Sequence, residues 1–209
     1  MLGSLNKTAL IATLVFAGAL IGVHSQPAQA ASITQSCAQG GACLIGDRGP
    51  GGGIVFIIPS TMGNTTGLTF ASAPRGWAGT TKDPKFIWCA NPDLTIPETM
   101  ATGIGSGLSN TVAVADSCLV SAAGAARGYN GGGLTDWFLP SMEELNLMSE
   151  QREQVEGLAA YAYWSSTQQT PSFAWYQLMT RGYQINWLKS NAFYVRPVRE
   201  FLSPTPASP

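Results

Sequence analysis

Hydrophobic residues fall along this chain in three kinds of run, and each kind predicts a different element. Residues 9–23 form one uncharged apolar run of fifteen residues. Residues 54–58, IVFII, are β-branched and aromatic, lie between a glycine cluster and Pro59, and predict a buried strand. After residue 160, short aromatic runs alternate with turn residues, which predicts a meander of antiparallel strands.

The first apolar run has the features of a signal peptide. It follows Lys7 and is shorter than the roughly 20 residues that a membrane span needs. The small-x-small pattern Ala28-Gln29-Ala30 comes soon after it. We therefore expect residues 1–30 to be removed and the mature protein, without a membrane span, to be secreted or to lie at the cell surface. Retention as an N-terminal anchor is the alternative.

Two helices are predicted ahead of the strand meander. The first begins at residues 109–111, SNT, and continues through an alanine-rich segment to a stop at Gly128. The second begins after Ser141, because Ser141 and Glu144 have the spacing of a capping box. Three residues at helical spacing predict its buried face: Met142, Leu145 and Met148.

The order of these elements predicts one α+β domain. A strand, long loops with a short strand at residues 85–90, two helices and several strands follow one another over residues 45–201. A short N-terminal segment, residues 31–44, precedes this domain. Residues 202–209 are rich in Pro and Ser and predict a disordered tail.

The four cysteines predict two disulfides. An even number of cysteines in an exported chain favours disulfides, and four allow three pairings. We expect Cys37–Cys43 to close a small glycine-rich loop and Cys89–Cys118 to close a loop of about thirty residues, worth roughly 3–4 kcal/mol. A zinc site is the alternative, but the spacing contains no CxxC pair.

Composition narrows the chemistry further. The whole chain has a net charge of −1, and without Lys7 the mature protein has about −2, which gives no general attraction to nucleic acid or to anionic membranes. The single histidine, His24, lies in the predicted signal peptide. The mature protein therefore has no imidazole for Ser-His-Asp or Cys-His catalysis or for zinc ligation.

Carboxylate chemistry is not indicated either. Most acidic residues cluster near one predicted helix, where we expect them to be solvated: Glu143, Glu144, Glu150, Glu153 and Glu156. This arrangement offers neither a facing carboxylate pair nor an acidic loop that would bind calcium. No nucleophile–base pair is evident, so we predict a protein that is not an enzyme and holds no metal or cofactor.

The glycine cluster at residues 45–56, IGDRGPGGGIVF, is interpreted as a strand entry. A phosphate-binding loop would end in Lys and Ser or Thr and would open a helix, and collagen would keep Gly at every third position. The cluster does neither. Gly51, Gly52 and Gly53 are expected to provide positive φ angles and close backbone approach.

A series of motifs in one order resembles a known family. The motifs are GDRGPGGGIVF, APRGW, an NT pair before a helix, YNGGGLTDWFLPSMEEL, YWSST and VRPVREF, within residues 45–201. Together they resemble the Lcl C-terminal domain family, named after the C-terminal domain of the Legionella collagen-like adhesin and found in many bacterial surface and secreted proteins.

The resemblance implies a C-type lectin-like fold, with two helices packed on antiparallel strands, and binding rather than catalysis. The named member recognises sulfated glycosaminoglycans and assembles as a trimer. This chain lacks a collagen-like stalk and a strong basic excess, which leaves open both its oligomeric state and its affinity for sulfated ligands. The expected partner is an extracellular glycan, acidic or sulfated ones included, or a surface protein.

Two sets of residues receive roles. The first carries the family signature and is expected to be structural: Asp136, Trp137, Ser141, Glu144, Trp164, Ser165, Arg196 and Arg199. Within it, Arg196 and Arg199 are expected on the last strand, paired with Asp136 or Glu144, with a ligand contact as the alternative.

The second set lies in the loops that connect the strands and is expected to contact the ligand. Aromatic faces stack on sugar rings, and amides and cations bind hydroxyl or acidic groups. Eight residues form this set: Gln168, Gln169, Arg181, Tyr183, Asn186, Trp187, Lys189 and Asn191. An ordinary solvated hairpin rim is the alternative.

Overall fold

The computed structural model describes residues 35–204, which form a mixed α+β domain. The predicted signal peptide and the last five residues of the predicted tail lie outside the described residues. The strands are β1 (Ile54–Ile57), β2 (Thr69–Ser72), β3 (Lys85–Ile87), β4 (Ala162–Gln168), β5 (Phe173–Leu178), β6 (Tyr183–Leu188), β7 (Ala192–Tyr194) and β8 (Val198–Phe201). The helices are α1 (Gly107–Ser117), α2 (Ala122–Arg127), α3 (Met142–Glu150) and α4 (Arg152–Val155). None of the helices within residues 35–204 is long and apolar enough to cross a membrane.

The strands form two sheets. The smaller sheet has the order β1-β2-β8 and the larger one β3-β7-β4-β5-β6, with β3 and β6 at its edges. All pairs are antiparallel except β4 with β7. The α+β class and the buried strand at residues 54–57 are thereby confirmed. The predicted antiparallel meander is confirmed for β4, β5 and β6, whereas β7 pairs with β4 in parallel and β8 joins the smaller sheet.

The first predicted helix is wrong in extent, because the structure divides it into α1 and α2. Cys118 has extended backbone angles, φ −128° and ψ 105°, and is bonded to Cys89. Ser121 then starts α2 by accepting a hydrogen bond from the backbone N–H of Gly124 at 3.0 Å. The disulfide thus interrupts a segment whose composition alone favours one continuous helix.

Both disulfides have the predicted pairing. Cys37–Cys43 and Cys89–Cys118 join residues whose Cα atoms are 4.7 and 5.5 Å apart. The glycine cluster also enters β1 as expected: Gly51 and Gly52 both have φ of +80°. At Gly53 the backbone instead approaches closely, since an added Cβ would lie 2.8 Å from the Ser72 carbonyl oxygen.

Two hydrophobic layers cover the faces of the larger sheet. On one face, α1 and α2 pack against Trp88 and Trp164. On the other, α3 packs Leu145 and Met148 towards the smaller sheet. These two residues are buried as the helical spacing predicts, whereas Met142 is only half-buried at the start of the helix.

The YWSST motif forms a bulge in β4. Trp164 pairs with Tyr176 and Gln168 with Ala174, so that four steps along β4 correspond to two along β5. The bulge exposes backbone groups that other elements use: the Ser165 carbonyl accepts from Trp88 Nε1 at 2.8 Å, and the Ser166 N–H donates to the Pro140 carbonyl at 2.8 Å. The motif therefore ties β4 to the neighbouring loops.

Candidate functional site

The two signature arginines form buried or half-buried ion pairs. Arg199 holds Asp136 through two hydrogen bonds, Nε to Oδ1 at 3.0 Å and Nη2 to Oδ2 at 2.7 Å, and this contact lowers the pKa of Asp136. Arg196 precedes β8 rather than lying on it, and its partner is neither Asp136 nor Glu144 but Asp83, with Nη2 2.8 Å from Oδ2. Asp83 is absent from the predicted set because its loop carries no pattern that indicates burial.

Glu144 joins two helix starts instead of lying in solvent, so the expectation of a solvated side chain is wrong. Its Oε1 accepts from the backbone N–H groups of Gly105 at 2.8 Å and Gly107 at 3.2 Å, and its Oε2 accepts from that of Ser141 at 2.8 Å. The capping box is confirmed. Burial raises the pKa of Glu144 to about 7, although the three backbone hydrogen bonds act in the opposite direction.

Two members of the expected ligand-binding set are buried. Lys189 Nζ donates to Gln168 Oε1 at 2.6 Å and to the Leu94 carbonyl at 2.8 Å, and it lies 4.6 Å from the centroid of the Trp88 ring. Burial lowers the pKa of Lys189 to about 8. The expectation that Gln168 and Lys189 lie on a loop surface is therefore wrong, because both side chains fasten the loop before residue 96 to β4.

The other members of that set lie at the surface but do not converge. Tyr183 and Trp187 are 57% and 48% exposed and share one face of β6. Asn186 is half-buried on the opposite face, and Arg181 is exposed in the turn before β6. The remaining two belong to separate turns, with Gln169 exposed after β4 and Asn191 half-buried before β7. The structure thus places these residues along an edge strand and in separate turns, in place of the expected rim.

A cleft lined by aromatic residues lies at the other edge of the larger sheet. Its volume is about 580 Å³, and its walls include Trp77, Phe86 and Tyr129, with Thr80 and Asn130 supplying polar groups. Phe86 belongs to edge strand β3, Trp77 to the loop after β2, and Tyr129 to the segment after α2. The cleft is shallow and open to solvent, but aromatic walls with a few polar groups are typical of ligand-binding sites.

Buried contacts hold the cleft walls in place. Trp77 Nε1 donates to the Val195 carbonyl at 3.2 Å. The Tyr129 ring lies between Trp77 and Trp137, at centroid distances of 5.5 and 4.9 Å. Burial raises the pKa of the Tyr129 hydroxyl, so this side chain is neutral at physiological pH. The hydrogen bond of Trp77 and the packing of Tyr129 between two tryptophans thus hold the cleft walls in place without a ligand.

The sequence assigns no ligand contact to these residues, although two of them belong to the resemblance motifs. Trp77 ends APRGW and Tyr129 begins YNGGG. Large aromatic residues beside glycines in loops are the signal that could have identified them. Their separation of more than fifty positions hides the cleft until the chain is folded.

A second depression lies on the opposite side of the loop at residues 74–84. It has a volume of about 310 Å³ and is lined by Arg75, Lys82, Tyr161 and the backbone at Gly157. Lys85 lies nearby, with Nζ 4.7 Å from the centroid of the Tyr194 ring. Within residues 35–204, none of these three cations takes part in an ion pair. The loop therefore separates an aromatic cleft from a basic depression.

Comparison with known proteins agrees with the motifs. The model of the Lcl C-terminal domain family matches residues 64–199, which is about two thirds of the chain and includes both walls of the cleft. No match was found among curated proteins. The two disulfides and this match are consistent with an extracellular location. The chain belongs to the Lcl C-terminal domain family.

Proposed function

We propose that the mature protein is an extracellular, adhesin-type domain that binds carbohydrate on a C-type lectin-like frame and catalyses no reaction. The observation that carries this proposal is the preformed cleft between Trp77, Phe86 and Tyr129. The proposed site is thus not the loop rim expected from the sequence. It lies at the opposite edge of the larger sheet.

The chemistry of the cleft suits a sugar ring. Aromatic faces pack against the apolar C–H face of a pyranose, while hydroxyl and amide groups bind its equatorial hydroxyls. Trp77 and Phe86 are half-buried and offer the stacking surface, and the exposed Asn130 and Thr80 offer the polar groups. Cleft walls that are already ordered cost little entropy on binding, which favours affinity for a small ligand.

The basic depression extends the proposal to acidic sugars. Arg75 and Lys82 lie on the same loop as Trp77 but on its other side. A polysaccharide that crosses this loop would place a sulfate or carboxylate near these cations. Their contribution would be weakened by salt, whereas stacking in the cleft would not.

A glycan panel that includes sulfated polysaccharides, read at two salt concentrations, tests the proposal. We expect Trp77→Leu and Asn130→Ala to abolish binding to the glycans that the wild-type protein binds. Trp77→Leu removes the stacking surface. Asn130→Ala removes an amide whose side chain makes no hydrogen bond to the described residues. Leu119→Ala and Arg181→Gln are the matched controls, because they alter an exposed apolar residue and an exposed cation outside the cleft, and Trp187→Leu tests β6 as the alternative sugar site.

The results separate the two sites. If Trp187→Leu abolishes binding while the cleft variants retain it, the sugar site lies at β6 and the cleft assignment is wrong. Thermal unfolding of each variant excludes loss of fold as the cause. If the wild type loses binding only at the higher salt concentration, and Arg75→Gln loses it already at the lower one, the basic depression binds an acidic sugar.

The second candidate function is a structural or protein-binding module without a sugar site. The exposed apolar side chains of β6 favour this candidate, since such surfaces commonly bind protein. A folded protein that retains no glycan at either salt concentration would reject the carbohydrate proposal and leave this candidate.

A further inference from the structure

Strand β6 is an edge strand with no protection against pairing. Its sequence, YQINWL, contains no charged residue and no proline, and it ends the order of the larger sheet. Four of its side chains are exposed and apolar: Tyr183, Ile185, Trp187 and Leu188. Edge strands of soluble proteins are usually blunted by charges, prolines or bulges, and β6 has none of these features.

The backbone of β6 determines which residues can pair outward. The Lys189 N–H donates to the Ser172 carbonyl at 3.0 Å, inward to β5. Hydrogen-bonded and non-hydrogen-bonded residues alternate along an antiparallel pair, so Ile185, opposite Tyr176, also directs its backbone groups inward. The N–H and C=O groups of Gln184 and Asn186 and the N–H of Leu188 therefore face the open edge, whereas the Leu188 carbonyl accepts from the Asn191 N–H at 3.0 Å in the turn that follows.

We propose that β6 binds β6 of a second copy of this chain, antiparallel, with the twofold axis at Ile185. A hydrogen-bonded ladder forms only when residues whose backbone groups face the open edge lie opposite each other. In such a register the exposed side-chain faces of the two copies lie on the same side of the joined sheet. Centred on Ile185, this pairing places Gln184 opposite Asn186 of the second copy as a hydrogen-bonded pair. On the exposed face, Tyr183 lies opposite Trp187 of the second copy, and the two Ile185 side chains meet.

Charge and side-chain chemistry favour a second copy as the occupant. The neutral strand presents no like charges to itself, and the twofold axis carries the two exposed Arg181 side chains to opposite ends. Each Arg181 then comes opposite Lys189 of the second copy, whose ammonium group is buried against Gln168 and the Leu94 carbonyl of its own chain. Aromatic pairs directly opposite one another stabilise antiparallel strands. The surface is thus complementary to itself, as a twofold interface requires.

The proposed interface buries a small area, which implies weak association of the two copies. Fully buried aromatic side chains contribute roughly 150–250 Å² each, and those of β6 are already about half covered in one copy. The four side chains and the strand edge therefore bury about 1,000 Å² or less over both copies, which is typical of reversible association. The proposal does not depend on carbohydrate binding.

A single cysteine on the proposed axis provides the sharpest test. In Ile185→Cys the two cysteines face each other across a non-hydrogen-bonded pair, with Cα atoms about 4.5 Å apart, within the range that a disulfide spans. We expect a covalent dimer on mild oxidation, seen by mass under non-reducing conditions. The matched control is Tyr183→Cys, whose two cysteines would lie roughly 13 Å apart on the same paired strands and should stay unlinked.

Sedimentation of the unmodified oxidised protein gives the second readout. We expect a concentration-dependent monomer–dimer equilibrium that Ile185→Lys weakens by about tenfold or more, since it places two like charges together. Leu119→Lys, at a fully exposed apolar residue outside β6, should leave the equilibrium unchanged. A monomer at all concentrations, a trimer, or equal cross-linking of both cysteine variants would overturn the proposal.

Discussion

The buried carboxylate of Glu144 should make the protein less stable as the pH rises towards neutrality. Burial raises the pKa of this group from 4.5 to about 7 in the folded protein. The folded state therefore binds more protons than the unfolded state between these two values. Its stabilisation is complete below about pH 4.5 and is lost as the pH rises through the folded pKa.

The size of the effect follows from the shift. A difference of one in pKa between the folded and unfolded states corresponds to about 1.4 kcal/mol, so the free energy of unfolding should fall by about 3 kcal/mol between pH 4.5 and pH 7.5. One other carboxyl group acts in the same direction, because burial also raises the pKa of Glu200. Residues 35–204 contain no histidine, and the pKa of Asp136 is lowered by its contact with Arg199.

Urea denaturation at several pH values, with the disulfides intact, measures this dependence. Glu144→Gln should remove most of the slope, because the amide does not titrate, even though the variant is less stable at low pH after losing one backbone acceptor. Glu143→Gln, one residue earlier and outside the buried network, should keep the slope of the wild type. A wild-type stability that is constant or rises over this range would refute the reasoning.

Three further changes test the buried contacts. Asp83→Asn leaves the guanidinium it neutralises buried and unpaired, so it should cost about 3–5 kcal/mol; Asp116→Asn, in a surface ion pair, should cost less than about 1 kcal/mol. Urea denaturation compares the two, and a similar cost for both would contradict the assignment. Replacing Cys89 and Cys118 together by serine should cost about 3–4 kcal/mol and lower the melting temperature, because their bond closes a long loop; an unchanged melting temperature would contradict this. Finally, because the pKa of Lys189 is lowered to about 8, wild-type stability should rise with pH from about 8 to 10.5; Lys189→Met should lack that rise, and a rise in both proteins would assign it to another group.

Local patterns predict the elements that depend on local interactions. The capping box at Ser141 needs only a hydroxyl and a carboxylate three residues apart, and the structure contains it. The strands near residue 54 and after residue 160 follow from short β-branched and aromatic runs between turn residues. The division of α1 from α2 does not follow in this way, since it depends on Cys118 reaching a partner 29 residues away.

The site residues show the limit of local patterns more clearly. A lysine in a turn is usually solvated, so the sequence predicts a surface position for Lys189. Its burial depends on Gln168 and on the carbonyl of Leu94, which are far from it in sequence. For the same reason the cleft is invisible in the sequence, because Trp77 and Tyr129 meet only after the sheet and α2 have packed.

The proposed cleft and the proposed twofold interface lie at opposite edges of one sheet, and this arrangement has a consequence for binding. Phe86, in the cleft, belongs to edge strand β3, and β6 is the other edge. Pairing through β6 leaves both clefts free, roughly 40 Å apart along a sheet of ten strands. Such a dimer binds a polysaccharide surface through two sites and gains avidity without any new contact in the cleft.

Bivalent binding gives the last prediction. Ile185→Lys should weaken retention on immobilised polysaccharide by about tenfold or more, since a monomer loses the second site. Its affinity for a short, monovalent oligosaccharide in solution should equal that of the wild type, because the substitution lies four strands away from the cleft. Surface retention and solution titration of both proteins measure the two quantities. An equal loss in both assays would show that the edge strand affects the cleft itself, and an equal retention would show that surface binding does not use the dimer.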